Sequence, residues 1–239
     1  MVSGVSLSRV SVRFSGWLLI GFSLFFLLVP FFPLPEFKST LAFQFSTTLT
    51  VISLIVGLLM LSGITIRNVK WLALTSILGS LSAMLRIPFA VLPSVQPCTF
   101  IVICAGYALG PAAGFLTGTI TAIVSNLFLG HGLWTIYQIL GWGLAGVVAS
   151  ILKKFNLNAN RLRLTLTVFG FVWGYVFGVI TNLSFWIYFY EPSLTSFIAV
   201  QIASFWFDTV HALNNAVFLA ILGPKTVNLL EKLININKI

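Results

Sequence analysis

Gln201, Ser204, Asp208, His211 and Asn215 follow one another at steps of three, four, three and four, which aligns them on one face of a helix. Asp208 stands near the middle of an apolar run, where a carboxylate costs about 2.5 to 3.5 kcal/mol to insert into a bilayer. It therefore needs a partner, a proton or a wet cavity, and His211 is the nearest partner in the sequence. Such a pair serves as a clamp between helices, as a proton relay, or as the polar wall of a substrate cavity. A second group, Trp134, Gln138 and Trp142, is spaced by four and shares a face if the helix has begun by Trp134. Two indoles flanking an amide form either an interfacial aromatic belt or a seat for a flat, polar-edged organic ligand. His131, between two glycines, reads as a loop residue rather than a metal ligand.

Other chemistries lack their residues. There is no GxxxxGK[ST] to cradle a nucleotide, no HExxH, no Asp-rich diphosphate motif and no GxSxG. Cys98 and Cys104 are six apart, with no CxxC and no histidine at ligand spacing, and read as apolar fillers. No metal or cofactor is expected on this chain.

The elements that carry these residues belong in a membrane. Of 239 residues, 59% are hydrophobic and 7% charged, and the mean hydropathy is +1.07. A water-facing domain needs roughly 25% charged residues. The formal charge of +9 is spread thinly between apolar stretches, as topology signals are, and points to a bilayer rather than to nucleic acid. Spans of about 20 apolar residues are expected at 15–33, 46–66, 71–88, 97–109, 111–128, 137–152, 165–188 and 197–222. The fourth is short enough to be re-entrant. Pro30 and Pro33 stand where a signal-peptide cleavage site would need small residues, so the first span is retained.

Eight crossings with both termini inside put Arg9, Arg13, Arg67, Lys70, Lys153, Lys154, Arg161, Arg163, Lys225, Lys232 and Lys238 in the cytoplasm, and only Lys38 and Arg86 outside. That asymmetry fits the positive-inside rule and predicts a multi-pass protein of the cell membrane with cytoplasmic ends.

Residues 1–70 are rich in Phe and Leu, whereas 71–222 are patterned with small and amide residues at helical spacing. The chain is thus expected to divide into a two-helix appendage, 1–70, and a six-helix functional unit, 71–239. Gly114, Gly118, Ala122 and Asn126 form one stripe, and Gly170, Gly174, Gly178, Asn182 and Trp186 another. Such faces let helix backbones approach closely in lipid. The stripe Thr75, Gly79 and Ala83 either packs internally or docks another protein.

The stretch from Leu85 to Leu152 resembles the S components, the substrate-specific membrane subunits of energy-coupling factor (ECF) transporters. The resemblance rests on Arg86-Ile87-Pro88, Gln96-Pro97, Leu109-Gly110-Pro111 with Gly114 and Gly118, Ser125-Asn126, and Trp134 through Gln138 to Gly146. FDTVHALNNAVF at 207–218 is similar to the family's last-helix pattern. Ile136-Tyr137 departs from the Pro-Trp expected before Gln138, and the two helices before Trp71 lie outside the usual core. The resemblance implies an all-α integral membrane protein: a six-helix S-component bundle with two additional N-terminal transmembrane helices.

It further implies capture of a vitamin or related micronutrient from outside and its release inside. The subunit would dock on a transmembrane coupling subunit bearing two ABC-type ATPases, which use ATP in trans. The substrate would sit beneath the outer loop 89–96, touching Gln96, Asn126, Trp134, Gln138, Trp142 and Asn182, with Asp208 and His211 deeper. Thr75, Gly79 and Ala83 would meet the coupling subunit. The VQP and GLWTIYQ neighbourhoods lean toward a corrinoid such as cobalamin, with riboflavin and queuosine precursors also open. Two other readings compete: a self-sufficient proton-coupled carrier using Asp208 and His211, and a membrane-embedded lipid-modifying enzyme using them as acid and base.

Overall fold

A computed structural model of the chain describes residues 14–23, 40–62, 69–191 and 193–235. Arg9, Arg13, Lys38, Arg67 and Lys238, and the second half of the first expected span, lie outside the described residues. Among the described residues the structure is all-helical: α1 (Phe14–Ser23), α2 (Thr40–Ser62), α3 (Val69–Phe89), α4 (Cys98–Leu109), α5 (Pro111–Leu129), α6 (Trp134–Leu152) with a 3-10 turn (Lys153–Phe155), α7 (Ala159–Phe189), α8 (Leu194–Ile221) and α9 (Gly223–Asn235).

Six of these, α2, α3, α5, α6, α7 and α8, are long and apolar enough to cross a bilayer, where eight crossings were expected. The clearest exception is α4. Its 12 residues rise about 18 Å at 1.5 Å each, short of a hydrocarbon core of about 30 Å. Pro97 precedes it, and Gly110 stops it at φ 98°, a backbone region open to glycine. Every residue of α4 except Ala108 is buried, so it is a core helix that has no need to face lipid. Its packing depends on absent side chains: a Cβ on Gly106 or Gly114 would collide with the backbone of Gly146 on α6. The small-residue stripe of α5 thus lets α4, α5 and α6 meet backbone to backbone.

Contacts group the chain into two units, one of residues 1–65 with 183–200, the other of 66–182 with 201–239. In the first, α1 and α2 share a hydrogen bond of 2.6 Å between Ser23 and Ser53. Further along α2, Gln44 Nε2 donates to the Ile187 carbonyl at 3.2 Å, Thr48 hydrogen-bonds Tyr188, and Phe43 meets Trp186 edge-on. Trp186 Nε1 in turn donates to Ser196 Oγ at 2.8 Å. Within this unit α2 therefore holds the tip of the α7–α8 hairpin, which no pattern in residues 1–70 announces.

The second unit contains the remainder of α3 to α9. The helix α9 lies beyond the expected last span, which ends at 222. It is amphipathic, buries Val227 and Leu230, and is held by Lys153, whose Nζ donates to the Ala108 carbonyl at 3.0 Å and pairs with Glu231 at 2.8 Å.

Candidate functional site

Arg86 opens the last turn of α3, followed by Pro88. By sequence it is a cation at the outer end of the expected span 71–88; in the structure it is helical and only 6% exposed. A buried guanidinium must have its N–H groups met, and the neighbouring elements are cut to reach it. Its Nη1 donates to Ser125 Oγ and Asn126 Oδ1 in the last turns of α5, both at 2.6 Å. Its Nε donates to Gln96 Oε1 at 3.3 Å. The guanidinium carbon lies 5.0 Å from the ring centroid of Trp142 on α6, within cation–π range.

The network continues across the start of α6. Asn126 Nδ2 donates to Thr135 Oγ1 at 2.9 Å and to Gln138 Oε1 at 2.8 Å. Below, Trp142 Nε1 donates to Thr99 Oγ1 at 3.1 Å, and Thr99 shares a 3.3 Å hydrogen bond with His211 Nε2. The loop between α3 and α4 is tied to α8, with Asn214 Nδ2 donating to the Gln96 carbonyl at 2.9 Å and His211 Nδ1 at 3.3 Å from the Ser94 carbonyl oxygen. Residues of α5, α6 and the loop thus meet a single buried cation on α3, and α4 and α8 join the network through Trp142 and the loop. The one ion pair among the described residues is Lys153–Glu231, so the shell of Arg86 there is neutral.

A second polar group joins α7 to α8. Asn182 Nδ2 donates to Ser204 Oγ at 2.6 Å, Gln201 Oε1 at 3.1 Å and Asp208 Oδ2 at 3.2 Å. Ser204 Oγ donates to the same Asp208 oxygen at 2.8 Å. Gly178 makes the room, since a Cβ there would collide with the carboxylate.

Of the expected site residues, Gln96, Asn126, Gln138, Trp142 and His211 therefore join one network, and Asn182 and Asp208 another. Trp134 is 45% exposed at the start of α6. Three expectations are corrected. Asp208 and His211 are not each other's partners, because Asn182 and Ser204 take the carboxylate while Thr99 and the Ser94 carbonyl take the imidazole, so the acid–base pair required by the proton relay and by the lipid-modifying enzyme is not formed. Trp142 is fully buried, with the Arg86 guanidinium carbon over its ring, so its exposed neighbour Trp134 is the one that stands at the surface. Thr75, Gly79 and Ala83 are buried inside the subunit, and a Cβ on Gly79 would lie 2.7 Å from Ile120 on α5, so the stripe packs internally.

Arg86, Thr99, Ser125, Thr135 and Asn214 were not expected as site residues. The available signal for Arg86 was its isolation: it is the one cation between Lys70 and Lys153.

Among proteins of known type, the family model of the ECF transporter substrate-specific component matches residues 70–234, well over half of the chain. No curated protein and no solved structure matches it.

Proposed function

Given that the chain belongs to the substrate-specific components of ECF transporters, which are transporter subunits and not enzymes, we propose that the network around Arg86 is where it captures a vitamin-like micronutrient from outside the cell. The carrying observation is the position of that network. It sits where α3 and α5 end and where α4 and α6 begin, whereas Lys70, Lys153, Lys154, Arg161, Arg163, Lys225 and Lys232 lie at the start of α3, after α6, at the start of α7 and on α9. Basic residues gather on the cytoplasmic side of membrane proteins. The network then faces outward, with Gln96, Gln138 and Trp134 at its rim, and both termini are cytoplasmic.

Release follows docking on a coupling subunit that carries two ABC-type ATPases, with ATP consumed in trans. A corrinoid is the cargo toward which the sequence neighbourhoods lean. Asn182 and Asp208, satisfied by Ser204 and Gln201, serve as the seam between α7 and α8.

Mass spectrometry of the protein purified gently from its own membranes tests the assignment. A coupling subunit and ATPases are expected in the preparation, with uptake in proteoliposomes only when ATP is supplied to the assembled complex. Uptake by the subunit alone, driven by a proton gradient, would replace the ECF mechanism with a solitary carrier.

A further inference from the structure

The hydrogen-bond polarity of the Arg86 network runs in one direction. A guanidinium donates five N–H bonds and accepts none, so every amide facing it must turn its oxygen inward. Gln96 accepts from Nε through Oε1, and Asn126 accepts from Nη1 through Oδ1. Asn126 therefore has only its NH2 group to offer Gln138, which must accept through its own Oε1. Among the described residues this leaves Arg86 Nη2, Gln96 Nε2 and Gln138 Nε2 with no acceptor. Three unengaged donor groups remain, one of them on a cation whose neighbours among the described residues are all neutral.

We infer that the cargo carries an anionic group, a carboxylate or a phosphate ester, which accepts from Arg86 Nη2 and from one or both glutamines. This deepens the capture site proposed above and rests on it. A ligand anion supplies the one thing the network lacks, since buried charges are stable when paired and hydrogen-bonded together, and charge-assisted hydrogen bonds are the stronger kind. A cationic cargo would repel Arg86, and a neutral one would leave its charge unpaired. Trp142, whose ring centroid lies 5.0 Å from the guanidinium carbon, holds Arg86 in place as the anion arrives.

The test uses the full-length protein in lipid nanodiscs. Small molecules released from wild-type protein purified from its own membranes are separated by charge and weighed. Matched probes are titrated in parallel: nicotinate against nicotinamide, biotin against biotinamide, and pyridoxal phosphate against pyridoxal. The released molecule is expected to bear an acid group, and acid probes alone to raise the melting temperature, with the carboxylate and phosphate arms showing which anion is read. Arg86→Gln should weaken acid binding about tenfold or more, as loss of a charge-assisted contact does. Asn126→Asp places a counter-ion against Arg86 and lets Gln138 turn its oxygen outward. It should weaken acid binding to a similar degree without lowering the melting temperature, which keeps the test decisive if Arg86→Gln does not fold.

A released molecule with no anionic group would overturn the inference while leaving capture at this network standing. So would a neutral probe that binds as tightly as its acid, or acid affinity unchanged in Asn126→Asp. Neither a released molecule nor any stabilising probe would remove the capture site, and the inference with it.

Discussion

At the residue scale, Arg86 and Gly79 show how burial changes the meaning of a motif. The Arg86 network is built from ordinary side chains, and what makes it the proposed site is that one charge sets the orientation of three amides around it. Gly79 shows the opposite case, a small-residue stripe that resembles a docking face until its neighbour is known. With Ile120 against it, Gly79→Leu should overpack the α3–α5 contact and cost about 1 to 3 kcal/mol. Thermal unfolding should show that loss, and ligand binding and complex assembly should fail together. A variant that binds ligand normally yet no longer joins the coupling subunit would return the stripe to a docking role.

At the element scale, the long helices were legible because continuous apolar runs between charged turns leave few alternatives. Their ends were less so: α6 begins at Trp134 and α7 at Ala159, earlier than the expected 137 and 165, because polar residues can continue a helix beyond the hydrocarbon. α4 was placed by sequence, but its role as a fully buried core helix follows from backbone contacts at Gly106, Gly114 and Gly146, which no single-chain pattern specifies. Within the site, amide and aromatic residues at helical spacing could be read, whereas pairings between helices could not. Asp208 is the clearest example: His211 is nearest in sequence, yet Asn182 from the neighbouring helix takes the carboxylate. As a seam residue, Asp208 should tolerate replacement by an equal-sized acceptor. Asp208→Asn should preserve ATP-dependent uptake and the melting temperature. Asp208→Leu should cost about 1 to 3 kcal/mol by leaving Asn182 and Ser204 without their acceptor. Loss of transport in a stably folded Asp208→Asn protein would instead assign the carboxylate a proton.

At the scale of the whole molecule, orientation connects these local arguments. A donor network is useful for capture only if it opens to the compartment where the cargo is scarce, and the proposed direction rests on the distribution of basic residues, which guides membrane insertion. His131 is exposed in the short loop between α5 and α6, beside Thr135 of the network, while Lys154 is exposed in the turn after α6. One helix separates them. Cys98 and Cys104 are both fully buried, so the wild-type chain should be silent toward a membrane-impermeant maleimide. His131→Cys should then be labelled on intact cells, and Lys154→Cys only after the membrane is opened. The reverse pattern would turn the Arg86 network toward the cytoplasm and make it a release site. Labelling of both positions from one side would mean that α6 does not cross the membrane, and the bundle built on its contacts with α4 and α5 would have to be redrawn.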